Sequence, residues 1–383
     1  MLWLSAMSCA AAVMIVAGFK LPLFDRLIRP HRWRIPVNER FFHASIWMLF
    51  LAFCVVTFAT AYNIPIIAAL KGGLSQEELD IQRGAFLKTR EGWGSGLGYV
   101  SAVFVGTLLP YSLARLFWTK KPIAGFSGLA LFAAYTLSYL QKALIIQAVA
   151  PLLYLSGRRL IWNYLGLFAL TAGTLGIFYA NTVLAVGVKQ EEKVQKKIEE
   201  RRQASLKPDS RGNLVPPNFF SSDFKHTSTK EYLVWRAVAV PIFTAADAVK
   251  VFHTKFNSKP LLGATSSPIA AIFGMKRVNY DAEVFAAQWG ESNIGRSNSV
   301  YVTDGYVNFG WAGVVVFSIF VGLGFRVFAL SGDEALRSMW PLFAFNVIQA
   351  SFIGSLLSGG FIFLFIIAFF VNLRDDHQPE SKP

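Results

Sequence analysis

Apolar residues in this chain come in long uninterrupted runs, and the polar residues collect in the segments between them. A bilayer core of about 30 Å requires roughly 20 apolar residues in a helix, because only a helix satisfies its own backbone hydrogen bonds within one lipid-bathed segment. The pattern predicts spans over residues 3–19, 42–62, 96–118, 122–139, 143–157, 160–186, 308–330, 339–355 and 358–373. The 143–157 run is short and follows Lys142, and Gly354 and Ser358-Gly359-Gly360 divide 339–373. A re-entrant pair is the alternative at both places.

The expected organisation is an all-α polytopic membrane protein of about nine transmembrane helices. Residues 1–186 form an N-terminal bundle with an outer loop at 63–95. A large outer loop fills 187–305, further spans occupy 306–373, and 374–383 is a tail. Residues 1–19 lack a basic start and a small-x-small cleavage site, so they read as a retained span.

Orientation follows from the short loops, since Lys and Arg are retained on the cytoplasmic side. The first loop carries Lys20, Arg26, Arg29, Arg32, Arg34 and Arg40. Loops two spans apart carry Arg115, Lys120 and Lys121, then Arg158 and Arg159, then Arg326 and Arg337. All of them fall on one side. This places the N-terminus and both long loops outside and the C-terminal tail in the cytoplasm, and requires an odd number of spans. The expected location is a bacterial inner membrane, with the outer side periplasmic.

Composition agrees. The chain has 383 residues, is 54% hydrophobic with mean hydropathy +0.43, and only 16% of its residues are charged. A soluble domain has about 25% charged residues. A net charge of +14 would suggest nucleic acid in a soluble protein, but here it resides largely in loops where membrane orientation explains it, so no nucleic-acid partner is expected. Cys9 and Cys54 fall inside apolar runs without His or acidic companions, which suggests neither a zinc site nor a disulfide framework.

The outer loops hold the candidate chemistry. Residues 188–205 have good helix formers and i,i+4 pairs such as Glu192 with Lys196, and extend the sixth span into water. Lys207 to Thr229, with Pro216-Pro217, is an extended connection. Glu231 to Phe256 is mostly apolar yet carries Arg236, Asp247, Lys250 and His253, the profile of a helix lying at the membrane surface. At about 100° per residue Arg236, Asp247 and Lys250 share one stripe, unless Pro241 kinks the helix. Residues 291–313 pass from an Asn- and Ser-rich approach into a span opening with Tyr306, Phe309 and Trp311. Arg296, Asn298, Asp304 and Asn308 sit just above that aromatic level, where a headgroup-linked substrate would enter. Amides and carboxylates beside aromatic faces are the groups that bind sugars.

The many spans, the long outer loop before the third-last span, and the run YVTDGYVNFGWAGVVVFSIFVGLGF together resemble the Wzy-type oligosaccharide repeat-unit (O-antigen) polymerases. In that family a Tyr-x-x-Phe-Gly-x-x-Gly stretch re-enters the membrane, matched here by Tyr306, Phe309, Gly310 and Gly313. Lys142 is the candidate for a basic residue in a middle span, Arg236 with Pro241 for an Arg-then-Pro feature, and Arg83 with Gly94 for an Arg-x10-Gly spacing. The resemblance implies a fold like the multi-span lipid-linked-sugar glycosyltransferases. It also implies a substrate of repeat-unit glycan on undecaprenyl diphosphate, polymerised at the outer face of the inner membrane, with a chain-length regulator and a flippase as partners.

Under that reading the site must stabilise a diphosphate leaving group, which fixed cations can do without metal or cofactor. Arginine suits this because its planar fork gives paired bonds to phosphate oxygens. The candidates are Arg236, Arg83, Arg90 and Lys142, the last because charge bordering two apolar spans is costly unless it is paired or reaches the surface. The acceptor hydroxyl needs a base, for which His253 with Asp304 behind it is the candidate. Arg296, Asn298, Tyr306 and Asn308 are the sugar contacts. No Asp-x-Asp motif or Cys/His cluster calls for a metal. An O-antigen ligase would need nearly the same site. A polytopic transporter would show internal repeats, interrupted spans and deep charges, and a non-catalytic assembly subunit would use the long loop for partners.

Overall fold

The computed structural model describes residues 2–28, 34–71, 76–87, 90–138, 140, 142–158, 207–208, 214–215, 218–221, 224, 231, 234–289, 297–298 and 300–374. The expected sixth span at 160–186 and the helix at 188–205 lie outside them. What is described is mostly helical. Among the described residues four helices are long and apolar enough to cross a membrane: Trp3–Lys20, Glu39–Ala59, Gly92–Trp118 and Tyr301–Leu330. The remaining predicted runs give shorter helices. Pro122–Ser138 and Lys142–Arg158 have 17 residues each. The 339–373 stretch gives Trp340–Gln349, Phe352–Leu357 and Phe361–Phe370; the break at Ser358-Gly359-Gly360 falls where the sequence suggested, whereas the other falls at Ala350-Ser351 and Gly354 lies inside the middle helix.

Two compact units emerge. One comprises residues 16–185, 320–346 and 353–383; the other comprises 1–15, 186–319 and 347–352. In the first, the Glu39–Ala59 helix starts where Asn38 Oδ1 accepts the N–H groups of Arg40 at 2.8 Å and Phe41 at 3.2 Å, filling two of the donors that a helix start leaves unpaired. Phe50, Phe53, Phe104 and Tyr135 pack ring against ring in its core. The strand Ile35–Asn38 pairs in parallel with Val371–Arg374. That strand pair was not expected from an all-helical reading. Arg34 helps hold the arrangement by donating to the carbonyl oxygens of Leu27, Ile28 and Ala368.

The loops that the sequence reading assigned to one side meet in this unit. Glu39, 1% exposed, accepts from Arg115 at 3.0 Å, Lys121 at 3.1 Å and Thr119 at 3.1 Å. Arg115 also reaches Asp333 at 2.9 Å, and Tyr111 donates to Asp333 at 2.6 Å. Arg326 forms a two-pronged pair with Asp25 at 2.6 Å. Hydropathy reveals none of these pairings, because each partner sits at the end of a different apolar run.

Among the described residues two helices contain a single wide π turn, at Phe104–Leu108 and at Trp235–Ala239. In both, the last intrahelical donor before a proline bonds five residues back: Leu109 N–H to Phe104 O ahead of Pro110, and Val240 N–H to Trp235 O ahead of Pro241. A proline ring in a helix interior clashes with the carbonyl four residues earlier. The wider turn moves that carbonyl away, so each helix continues through its proline.

In the second unit the Val240–Lys255 helix lies along Tyr280–Trp289. Tyr280 donates its hydroxyl proton to Ala248 O, Gln288 donates to Asp247 at 2.9 Å, and Lys255 pairs with Glu283. Burial, with Asp281 nearby adding to it, pushes the Tyr280 phenol above its ordinary range and keeps it a donor.

Candidate functional site

The Tyr301–Leu330 helix is broken at Gly310, whose φ of 62° and ψ of −148° belong to a region essentially reserved for glycine. Gly305 and Gly313 then come into contact: a Cβ on Gly313 would lie 2.0 Å from Gly305 O. In a continuous helix eight residues span about 12 Å, so the chain folds back at Gly310. The break frees carbonyls at the end of the 301–309 arm. Val307 O and Asn308 O accept instead from Leu261 N–H at 3.1 Å and Leu262 N–H at 2.9 Å. Gly310 and Gly313 are the two glycines of the Tyr306–Gly313 motif.

Two buried polar residues of this arm, Asp304 and Asn308, bond with the half-buried Thr265. Asp304 Oδ1 accepts from Thr265 Oγ1 at 3.2 Å and from Asn308 Nδ2 at 2.9 Å, while Asn308 Nδ2 also reaches Thr265 Oγ1 at 2.8 Å. Asn308 Oδ1 takes the N–H of Gly263 at 2.9 Å. Asn308 is fully buried and Asp304 is 8% exposed. The backbone N–H of Phe352 also lies close enough to act on the Asp304 carboxyl group.

Asp304 lines a cavity of about 30 Å³ together with Thr265, Arg277, Asp281 and Asn298. Tyr280, Ser297 and Ser351 are also on its wall. That volume accommodates a water or two, or a single hydroxyl group, and no sugar ring.

Of the residues singled out in the sequence, the fold gathers Asp304, Asn308 and Asn298 here. Tyr306 faces elsewhere, into an aromatic cluster with Trp3, Trp311 and Phe252, with ring centroids 5.6–6.3 Å away. His253 is exposed, 6.0 Å from the Tyr306 ring, with Nδ1 at 2.7 Å from Ser258 Oγ. No hydrogen bond among the described residues joins His253 to Asp304. Arg236 is exposed on the Trp235–Ala239 π turn, and π turns recur at functional positions.

Arg90 has structural work in the other unit. It donates to Phe86 O at 2.6 Å, Thr60 Oγ1 at 2.6 Å and Thr57 O at 3.0 Å, so it caps the end of the Glu39–Ala59 helix. Arg83 lies half-buried on the Gln76–Leu87 helix, and Lys142 begins the Lys142–Arg158 helix. Arg296 lies outside the described residues.

Sequence reading missed Thr265, Arg277, Tyr280, Asp281 and Ser351. The polar run Lys276–Asp281 was a signal, lying between apolar segments of the outer loop. Thr265 and Ser351 gave none, since only the fold brings them to Asp304. Compared with protein-family models, with curated proteins and with solved structures, the chain matches none.

Proposed function

We propose that this chain is a membrane glycosyltransferase that polymerises lipid-linked oligosaccharide repeat units, with Asp304 as its general base. The observation that carries the reading is the buried carboxylate of Asp304, which lines a small polar cavity with one oxygen fixed by Thr265 and Asn308. A carboxylate held by neutral donors at the wall of a cavity that takes one hydroxyl group is placed to accept a proton from an acceptor sugar hydroxyl.

In this mechanism the hydroxyl oxygen attacks the anomeric carbon of the donor glycan. The bond from that carbon to the diphosphate oxygen breaks, and the hydroxyl proton passes to Asp304 Oδ2. Polyprenyl diphosphate leaves with the bonding electron pair. Asn308 and Thr265 hold the carboxylate oriented before the substrate arrives, so little reorganisation accompanies the reaction. Arg277, on the cavity wall, and Arg236 are the cations suited to the diphosphate. Asn298 is suited to a sugar hydroxyl.

The glycine break supports the same reading, because it gives the Tyr306–Gly313 segment the sharp reversal that a re-entrant stretch needs. Non-helical backbone at membrane depth is tolerated only where protein or a cavity covers it. The carbonyls it frees are covered by residues 261–262.

The test is the surface polysaccharide of a deletion strain, resolved by size and complemented with the wild-type chain or with Asp304→Asn. Polymerase activity predicts a ladder that collapses to a single repeat unit on deletion and returns with the wild type. It should stay collapsed with Asp304→Asn at equal membrane levels. A ladder unchanged by the deletion would sink the proposal, and loss of even the single-unit band would point to ligation or export.

A further inference from the structure

Between the Glu39–Ala59 and Pro122–Ser138 helices runs a groove of about 420 Å³ that the chemistry proposed above does not use. Its size falls within the roughly 300–1,000 Å³ of small-molecule sites. The small side chains Ala124, Ser127 and Gly128 open one wall, and Trp47 lines the other. Gly128 is required there, since a Cβ would lie 2.7 Å from Trp47 Cζ2. Trp47 is itself fixed by donating to Ser112 Oγ at 3.0 Å.

The basic groups are Arg40, His43 and Lys121. Arg40 is exposed at the mouth, and Lys121 keeps 27% of its side chain exposed while bonded to Glu39. His43, 6% exposed, lines the groove. Its Nδ1 lies 2.7 Å from Ser112 Oγ, and its Nε2 faces Glu39 Oε1 at 3.8 Å. The surrounding surface is strongly apolar: Phe41, Met48 and Ile123 are 70%, 67% and 84% exposed.

We infer that this groove binds an anionic phospholipid. The phosphate would lie against Arg40 and Lys121, and one acyl chain would lie along Trp47 and Gly128. A water-soluble anion gains nothing from the apolar wall, and a neutral lipid gains nothing from the cations. Basic pockets between membrane helices on the cytoplasmic side are the sites where acidic lipid headgroups bind, and the short-loop basic residues assign this end to that side.

The experiment titrates the full-length protein, purified in detergent, with dioleoylphosphatidylglycerol or dioleoylphosphatidylcholine and counts bound lipid by native mass spectrometry. The phosphatidylglycerol adduct should form at least about fivefold more tightly. Arg40→Gln should abolish that preference, and Ala124→Leu should weaken binding about tenfold by filling the groove. Should Ala124→Leu fail to assemble, Ser127→Leu on the same wall replaces it. Equal binding of the two lipids, or variants that bind like the wild type, overturns the inference. So does displacement of phosphatidylglycerol by equimolar undecaprenyl phosphate, which would give the groove to the carrier lipid, or by inorganic phosphate alone. None of these outcomes depends on polymerase activity.

Discussion

Gly313 sits against the carbonyl oxygen of Gly305 so closely that a methyl group on it would lie 2.0 Å away. The two residues belong to opposite arms of one broken helix, and their contact is what permits the reversal at Gly310.

Gly313→Ala should therefore destroy the reversal. The clash is with backbone, which cannot swing aside as a flexible side chain can, and overpacking typically costs about 1–3 kcal/mol or more. The expected outcome is a sharp drop in membrane level and in melting temperature in detergent. Gly96→Ala is the control, because a Cβ there meets nothing within 4 Å, and replacing Gly by Ala within a helix stabilises by up to about 1 kcal/mol.

Under the proposed polymerase function, His253 and Asp304 can be separated by their effects on glycan length. If Asp304 takes the proton, Asp304→Asn should lower the rate by about 10²–10⁴-fold, the usual contribution of a general base. His253→Ala, on an exposed residue bonded to Ser258, should lower it by less than about tenfold. Chain-length distributions from strains carrying each variant at matched levels make the comparison. The opposite ranking would transfer the base to His253.

Asn308→Ala removes the donor to Asp304 and the acceptor for Gly263 N–H at once. Leaving buried polar groups unsatisfied costs about 1–3 kcal/mol each. Thermal unfolding of the detergent-solubilised protein should show a lowered midpoint, and polymerisation should fall by more than the loss of folded protein explains.

Glu39→Ala would leave Arg115 and Lys121 without the carboxylate between them. Breaking a buried ion pair by removing one partner costs about 3–5 kcal/mol, and Glu39→Gln should be milder because it still accepts hydrogen bonds. Unfolding midpoints of the two variants, compared with the wild type, test that order. Equal stability of all three would mean that the cluster contributes nothing.

Arg90→Ala should act on stability and leave chemistry intact. Its guanidinium ties Phe86 to Thr57 and Thr60, and hydrogen bonds involving a charged group are each worth about 1.5–3 kcal/mol. Limited proteolysis should cut faster near residues 76–95, while glycan length per folded protein stays constant. A loss of polymerisation at unchanged stability would restore Arg90 as a diphosphate contact.

Much of this architecture was legible in the order of residues. Apolar run length predicted the helices at 39–59, 92–118 and 301–330 to within a few residues at most ends, because the cost of an unpaired backbone group in lipid leaves a helix no alternative. The motif around Gly310 carried an expectation of membrane re-entry, but the break with positive φ at Gly310 is visible only in the fold. Asp304, Asn308 and Asn298 could be named because a polar residue beside an apolar run is conspicuous.

Tertiary structure alone decided which polar residues meet. Thr265 and Ser351 reach the neighbourhood of Asp304 from different parts of the chain, and Glu39, Arg115 and Asp333 converge from three separate helix ends. Hydropathy measures transfer from water to lipid residue by residue and says nothing about partners. Arg90 and Arg236 look alike in the sequence, yet one is spent on capping a helix and the other stands exposed. That difference depends on which carbonyls lie within about 3 Å of a guanidinium, and only the folded chain fixes such distances.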